Sequence, residues 1–347
     1  MAVRGTAAVV VAFVLTSLST IVVALRFYSR YFLVGKVGSP DWVMLSALLA
    51  TWCCTVVNYY QVVYLDYSRA MESFEILSSI VRGGLLTFWI YRINYIVDLC
   101  LVKVSILLFY NYVASSHKSF HRIVRGIITI VVIASFSMII AGALTCIPPS
   151  DAWSTKVFFD GFRGIYTAQC YDPTILWFFN AGFNLVTDLV IWILPIPFVL
   201  NLQSMPVKRR LELIGIFSIG IVAIIASAIR LWILVLWASN FMEQGKHTGD
   251  FLIWGQVEQH AGIISASIPF LRPLYRKAIH ARRGRNQPSP SPAAKLLHPT
   301  PPIQPRTPII PSPSPTFGSS TAPFKAPASP LSPISPVSPE MQIGAAL

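Results

Sequence analysis

The sequence predicts an all-α integral membrane protein, a bundle of seven transmembrane helices with the N-terminus outside, the C-terminus inside and a disordered tail. Hydrophobic residues make up 54% of the chain and charged residues only 12%, which is about half of the charged fraction of a soluble domain. The apolar residues fall in blocks of roughly twenty, the length that a helix needs to cross a bilayer. Basic residues are concentrated in alternate loops between these blocks, as in multi-spanning membrane proteins.

Seven apolar spans follow one another along the chain. They are residues 5–25, 42–64, 85–110, 126–146, 174–200, 211–236 and 251–271. The third span contains Arg92, Asp98 and Lys103, and the seventh contains Glu258 and His260 beside two glutamines. These polar residues cannot face lipid without a large cost, so we expect both spans to turn them toward the interior of the bundle.

The loop charges predict the orientation. The first, third and fifth loops and the segment after the seventh span are basic, and they hold Arg26, Arg30, Lys36, Lys118, Arg122, Arg125, Lys208, Arg209, Arg210, Arg272, Arg276 and Lys277. Acidic residues offset the basic ones in the other three loops. Cytoplasmic loops are rich in Lys and Arg, so the basic loops are predicted to lie inside. The alternation requires an odd number of spans, which supports the polar seventh one.

The composition changes abruptly near residue 285. Residues 1–280 are predicted to form the seven-helix domain, and residues 286–347 a disordered cytoplasmic tail rich in Pro and Ser. Such a tail has too few apolar side chains to bury to become ordered. Its Ser-Pro and Thr-Pro dipeptides, such as Ser289-Pro290 and Thr307-Pro308, are either phosphorylation sites and partner ligands or the chance product of a biased composition.

Ionisable and amide side chains inside the spans are the candidate functional residues, because buried polar groups in a bilayer are costly. Asn180, Asn184 and Asp188 recur every four residues and share one face of the fifth span. A stripe of this kind faces the bundle interior or a water-filled cavity. The full set of candidates is Arg92, Asp98, Lys103, Asn180, Asn184, Asp188, Arg230 and Glu258.

Two ion pairs are predicted from the depth of these residues along the helices. Arg230 is expected to pair with Glu258 in the outer half of the bundle, since the sixth and seventh spans are neighbours in sequence. Lys103 is expected to pair with Asp188 or with Asp98 at a deeper level. Two interpretations fit the set equally: a ligand pocket or switch that changes its pairing between states, and a static polar network that holds the helices in register.

The five cysteines have no metal-binding spacing, so no metal site is predicted. Cys146 and Cys170 flank the fourth loop, on the side assigned to the exterior, where oxidation is permitted. A disulfide between them would hold that loop over the mouth of the bundle. Two unpaired thiols are the alternative.

Several functions are made improbable by missing motifs. The chain has no Walker A loop, nucleophile elbow or HExxH pair, so no catalytic residue and no enzymatic activity are predicted. A retinal Schiff base would need a lysine in the last span, and residues 251–271 contain none, so no retinal cofactor is expected. The net charge of +13 suggests nucleic acid as a partner, but the basic residues lie in short clusters at helix ends, which favours the lipid bilayer instead.

Segments over nearly all of residues 1–275 resemble the fungal rhodopsin-domain family of seven-helix membrane proteins. The matching residues are Arg26 to Arg30 with Asp41 and Trp42, the run from Lys103 to Tyr110, Cys146 with Pro148, Trp153 and Cys170, Asp188 with Pro195 and Pro197, Phe217 to Gly220, Arg230, Glu258, and Pro269 to Pro273. One departure is Ser39-Pro40-Asp41, where the family usually has paired acidic residues. Asn58 to Tyr64 also departs from the family's outer end of the second span.

The resemblance implies a receptor-like protein, since the family includes proteins similar to G-protein-coupled receptors. A small-molecule ligand would enter from outside and change helix packing through the candidate residues, and the inner loops and tail would meet a cytosolic signalling partner. The implied location is the plasma membrane. A metabolite transporter or a structural membrane component is the alternative, because both would use the same polar stripe.

Overall fold

The computed structural model describes residues 2–64, 73–113, 118–165, 168–196, 207–239 and 244–285. The predicted disordered tail, residues 286–347, lies outside the described residues, as do parts of the second, third, fifth and sixth loops. The described helices belong to one compact unit.

Seven long helices form this unit within the described residues. They are α1 (Ala2–Tyr28), α2 (Ser39–Tyr64), α3 (Phe74–Val113), α4 (Lys118–Ala143), α6 (Thr174–Ile193), α7 (Val207–Ser239) and α8 (Gln244–Arg285). A π-helical turn, Ser29–Val34, extends α1 and ends at Gly35, whose φ of 73° lies in the left-handed region that favours glycine.

A small folded segment joins α4 to α6. It consists of strand β1 (Cys146–Ile147), a 3₁₀ turn (Pro149–Trp153), helix α5 (Thr155–Phe162) and strand β2 (Gln169–Cys170). The two strands pair antiparallel, with Cys146 opposite Cys170. We call this segment the disulfide loop, and the side of the bundle that carries it the disulfide end.

The helices differ from the predicted spans at several ends, and α8, for example, runs to Arg285 rather than to residue 271. α3 begins at Phe74 rather than at residue 85, because a helix buried against protein continues beyond its apolar stretch. α4 ends at Ala143, so Cys146 lies in β1 and not in the fourth span. α6 ends at Ile193 and not at residue 200, because Pro195 has no backbone N–H to continue the helical hydrogen bonds.

Six of the described helices are long and apolar enough to cross a membrane: α1 with its extension, α2, α3, α4, α6 and α7. α8 has the length but is more polar. Gln256, Glu258, Gln259 and His260 of α8 are each at most 2% exposed. The polar side chains that make α8 less apolar than the other six helices are therefore buried inside the bundle.

α3 and α8 lie at the centre of the bundle. α3 packs against α2, α4 and α8, and α8 packs against α1 and α7 as well. Buried residues of α1, α2, α3 and α8 form one apolar cluster: Val23, Met44, Ala47, Leu48, Val102, Ile263 and Ala266.

The outer surface of the bundle is apolar. Ile130, Ile133 and Phe136 of α4 are each about 60% exposed, whereas Ser135 on the other face is buried. Trp232 of α7 is likewise 64% exposed. Apolar residues outside and polar residues inside are the arrangement that contact with lipid tails requires.

Candidate functional site

A chain of ionic and hydrogen-bonding side chains crosses the centre of the bundle. We call it the central network, and it consists of Tyr95 and Lys103 from α3, Asn184, Thr187 and Asp188 from α6, Ser227 and Arg230 from α7, and Glu258 from α8. Side chains from four helices, far apart in the sequence, thus meet in one network.

One half of the central network is built around Glu258. Its Oε2 accepts from the Tyr95 hydroxyl and lies 3.4 Å from Nη1 of Arg230. The same guanidinium donates to the Tyr95 hydroxyl and lies over the Tyr95 ring, 3.9 Å from its centroid. Arg230 and Glu258 are nearly completely buried, so each charge depends on the other for compensation.

The other half is built around Lys103. Its ammonium lies 3.2 Å from Oδ1 of Asp188 and donates to Oδ1 of Asn184 at 2.8 Å and to the Thr187 hydroxyl at 2.6 Å. The Asn184 amide in turn donates to Oδ1 of Asn180 at 3.2 Å. The stripe of polar residues on α6 therefore serves as the binding surface for the lysine of α3.

Ser227 joins the two halves. Its hydroxyl oxygen lies 2.9 Å from Oδ2 of Asp188 and 2.7 Å from Oε1 of Glu258. A hydroxyl has a single proton to donate, so it fully satisfies only one of the two carboxylates at a time. The hydrogen bonding of Glu258 and that of Asp188 are therefore linked through the one proton of Ser227.

Two cavities lie on either side of the central network. The first, about 470 Å³, is lined by Arg92, Asn180 and Arg230 and otherwise mainly by aromatic rings, and we call it the aromatic cavity. The second, about 620 Å³, is lined by Lys103, Asp188 and Glu258 among aliphatic residues, and we call it the lysine cavity. The central network forms the partition between them.

The structure brings most of the predicted residues together. Arg230 lies against Glu258, and Lys103 lies against Asp188 rather than Asp98. Arg92 is outside the network, in the aromatic cavity, where its guanidinium stacks 3.9 Å from the ring centroid of Trp177.

Asp98 lies apart, between α2 and α3. Its Oδ1 accepts from the Thr51 hydroxyl at 3.0 Å, and its Oδ2 is buried without a partner among the described residues. The side chain is completely buried. Within the described part of the chain, Asp98 has no basic partner to compensate its charge.

Asp98→Asn is therefore expected to stabilise the protein or leave its stability unchanged. The amide keeps the shape and the acceptor for Thr51, and it removes a buried charge that has no counter-ion. The thermal unfolding midpoint of the purified variant in detergent measures the effect. A fall of several degrees would contradict this account and indicate that the carboxylate charge has a partner in the folded protein. Asp98→Ala, which also removes the acceptor and leaves a cavity, serves as the destabilised comparison.

A second ionic cluster lies where α1 meets α2 and α8. Asp41 accepts from Nε of Arg26 at 2.9 Å and from Nε of Arg30 at 3.1 Å. Arg26 also donates to the carbonyl groups of Pro40 and Ala266, and its guanidinium lies 3.8 Å from the ring centroid of Phe270. Arg26 and Arg30, which the sequence analysis counts in the first loop, lie in α1 and its π-helical extension, where they share the single carboxylate of Asp41. Arg26 is completely buried.

His260 anchors α8 to the first two helices. Its Nδ1 lies 2.8 Å from the Ser19 hydroxyl, and its Nε2 lies 2.9 Å from Oε1 of Gln256 and 3.3 Å from the Thr16 hydroxyl. Thr16 is hydrogen-bonded to Thr55 of α2. These contacts are spread between three helices and border neither cavity, so we assign them to helix packing.

The disulfide loop covers α3. Cys146 and Cys170 are bonded in the structure, and the Trp153 ring packs on Trp89 with centroids 5.1 Å apart. Asp172 lies exposed between this loop and α6, where hydrogen bonds from the Thr174 hydroxyl and backbone N–H lower the pKa of its carboxyl group. Trp89 lies one helical turn before Arg92, so the loop sits near the aromatic cavity.

Sequence reasoning missed the hydroxyl groups of the central network. Tyr95, Thr187 and Ser227 lie in apolar spans and carry no charge, so the cost of burying them is too small to make them conspicuous. The one available signal was spacing, since Tyr91 and Tyr95 recur four residues apart on α3. The described residues include no group of three His, Cys, Asp or Glu side chains placed to hold a metal ion.

Comparisons with known proteins agree with this architecture. The family model described as fungal rhodopsin domain matches residues 25–277. A protein of Metarhizium anisopliae, "Polyenoic acids biosynthesis gene cluster protein Ba17b", is 26% identical over 277 residues, which cover 76% of this chain and 72% of that protein. "Receptor GIN3" of Arthrobotrys oligospora is 28% identical over 272 residues, which cover 77% of this chain and 61% of that receptor.

A third relative matches over a shorter stretch. The "SAT4 family membrane protein" of Emericella nidulans is 28% identical over 131 residues, or 38% of this chain and 30% of that protein. No solved structure matches the chain. The family match extends from the end of α1 to the last part of α8, and the chain is thus a member of the fungal rhodopsin domain family of multi-pass membrane proteins.

Proposed function

We propose that all seven long helices cross the membrane, with the N-terminus outside and the C-terminus inside. Lys118, Arg122 and Arg125 at the start of α4 are exposed, as are Arg276 and Lys277 near the end of α8, and basic residues of this kind favour the cytoplasmic side. The disulfide loop lies at the opposite end of α4, which agrees with an oxidising exterior. The plasma membrane is the location we propose.

We propose that the protein is a receptor-like protein that responds to a small molecule in the aromatic cavity. The observation that carries the proposal is the central network, which is the partition between this cavity and the lysine cavity. A ligand that engages Arg230 would compete with Glu258 for the guanidinium. Glu258 would then attract the Ser227 proton more strongly, and the hydrogen bond from Ser227 to Asp188 would weaken.

The loss of that bond would change the pairing of Asp188 with Lys103 and so the packing of α3 against α6. Interfaces with two discrete pairings are the usual elements of such switches. A cytosolic signalling partner would meet the inner ends of the helices. One relative is named a receptor, which supports the proposal. The last helix has no lysine between residues 247 and 276, so we propose a ligand held without a covalent retinal link, and no enzymatic step.

The proposal is tested without a ligand by following a label at the far end of α8. The purified full chain carries Cys53→Ser, which removes an exposed thiol, and Tyr275→Cys, labelled with an environment-sensitive dye. Arg230→Gln imitates the release of Glu258 and is expected to shift the emission of the label. Adding Ser227→Ala is expected to abolish that shift, because the link between the two carboxylates is lost.

Arg82→Gln is the matched control for this experiment, since Arg82 is exposed on α3 and the change removes the same charge. An unchanged label in a folded Arg230→Gln variant would mean that the network is a static brace. A shift that survives Ser227→Ala would show that the signal does not pass through the serine. Either outcome would overturn the proposed switch.

A carrier of metabolites is the second candidate, because two cavities separated by one ionic partition also suit alternating access. Proteoliposomes containing the full chain are incubated with two impermeant probes, 2-naphthalenesulfonate and (2-naphthylmethyl)trimethylammonium. A receptor-like protein is expected to give no uptake above that of empty liposomes. Uptake of either probe that depends on the protein would support the carrier and contradict the receptor.

A further inference from the structure

The aromatic cavity has walls suited to a flat apolar molecule. Six of its eleven lining residues are aromatic: Phe88, Tyr91, Tyr95, Trp177, Trp237 and Phe251. The rings of Trp177 and Trp237 lie with centroids 5.2 Å apart, and Phe88 stacks on Trp237 at 5.9 Å.

The charged groups on the wall are both basic. Arg92 and Arg230 line the cavity, and no acidic residue of the described chain does. Arg230 is compensated by Glu258 on the far side of the wall. Arg92 makes only stacking contacts with Trp177 and Phe88, and no carboxylate of the described residues is paired with it. Within the described part of the chain, Arg92 therefore has no acidic counter-ion.

The wall also presents polar atoms without partners. Nε of Arg230, Nε1 of Trp177 and the hydroxyl of Tyr91 are buried and have no hydrogen-bond partner among the described residues. The Tyr91 oxygen and Nε of Arg230 both lie beside Gly255, where an added β-carbon would be 2.7 Å and 3.9 Å from them. Unpaired buried donors are costly, so the wall favours a ligand rich in acceptors.

From these observations we infer that the aromatic cavity binds a small organic anion with a flat apolar body. The inference rests on the proposed receptor function and names the ligand class of its site. The acidic group accepts from the guanidinium of Arg92 and from Nε of Arg230, a planar donor arrangement that suits carboxylate, sulfonate or phosphate oxygens. The apolar body lies between the rings of Trp177, Trp237 and Phe88.

The anion supplies what the residues of the wall lack. Arg92 gains the counter-ion that no acidic side chain of the wall provides, and the buried Nε of Arg230 gains an acceptor. A neutral molecule of the same shape would fill the volume and leave the charge uncompensated. An organic cation would be repelled by both arginines. Charge, more than shape, is therefore expected to determine which of several similar molecules binds.

The inference is tested with two probes of almost identical shape, 2-naphthalenesulfonate and its neutral sulfonamide. Equilibrium dialysis measures their binding to the full chain in nanodiscs of phosphatidylcholine, a lipid without net charge. The sulfonate is expected to bind about tenfold more tightly or better, because a hydrogen-bonded charge pair contributes roughly 1.5–3 kcal/mol, and 1.4 kcal/mol is a factor of ten. Arg92→Gln is expected to reduce the ratio of the two affinities toward one.

Two further variants serve as controls. Arg82→Gln removes an exposed arginine of the same helix and is expected to leave the ratio unchanged, and Arg92→Lys keeps the charge and part of the preference. Equal binding of sulfonate and sulfonamide, tighter binding of (2-naphthylmethyl)trimethylammonium, or a ratio unaffected by Arg92→Gln would each overturn the inference. So would the absence of any binding. The label experiment needs no ligand, so a failure of this inference is distinguishable from a failure of the receptor proposal.

Discussion

Replacing Asp41 with alanine is expected to destabilise the protein by about 3–5 kcal/mol, the typical cost of removing one partner of a buried ion pair. Asp41 compensates both Arg26 and Arg30 and accepts from the backbone N–H of Gly38 at 2.9 Å. Arg26 is completely buried and would keep its charge without a carboxylate nearby. The measurement is the thermal unfolding midpoint in detergent, together with the amount of monomeric protein that survives solubilisation.

Glu75→Ala is the matched control for this change. Asp41 and Glu75 are both acidic residues in the first turn of a long helix, α2 and α3 respectively, so both lose the same interaction with the helix dipole. Glu75 is exposed, so its replacement is expected to lower the free energy of unfolding by well under about 1 kcal/mol. Equal effects of the two substitutions would refute the arginine pairing as a source of stability.

Replacing Glu258 with alanine is expected to have an effect of similar size in the middle of the bundle. Arg230 would lose the one carboxylate that pairs with it among the described residues, and the Tyr95 hydroxyl would lose its acceptor, both in the buried interior. The expected loss is about 3–5 kcal/mol. It is measured as a lower thermal unfolding midpoint of the purified chain. Glu258→Gln keeps the shape and an acceptor, so it is expected to cost less than alanine.

A double substitution separates the two explanations of this loss. If the penalty comes from leaving Arg230 charged and unpaired, Arg230→Met combined with Glu258→Met is expected to recover most of the stability, because apolar residues replace a buried pair at little cost. If the double variant is as unstable as the sum of the single ones, the two residues act independently. That result would contradict the pairing that the network requires.

The ionic cluster at Asp41 changes the argument about orientation. Two of the basic residues counted in the first loop, Arg26 and Arg30, are paired with Asp41. The predicted orientation therefore depends more on the exposed basic residues of α4, such as Arg122 and Arg125. Lys208, Arg209 and Arg210, which were assigned to the fifth loop, lie in the first turn of α7, and their side chains are outside the described residues. A glycosylation site engineered into the disulfide loop would test the orientation, since only an outer loop would be modified.

Much of the candidate site could be predicted from helical periodicity and from the cost of buried charge. The spacing of Asn184 and Asp188 predicts that they share one face of their helix. The adjacency of the sixth and seventh spans predicts the pairing of Arg230 with Glu258. The choice of Asp188 over Asp98 as the partner of Lys103 could not be predicted. The choice depends on how α3 is rotated relative to α2 and α6, and the spacing of residues along the sequence does not determine that rotation.

The sequence by itself determined the family, the helical membrane architecture and the residues that cannot face lipid. The architecture and these residues follow from hydropathy, charge and period, which are properties of each segment alone, and the family follows from the resemblance of motifs along the chain. Only the tertiary structure decided that Ser227 and Tyr95 connect the charges, and that Arg92 stacks on aromatic rings. It also decided that two arginines assigned to a loop share the single carboxylate of Asp41. The physical reason is that hydrogen bonds of about 3 Å are set by how helices pack, and a shift of one residue along any helix would break them.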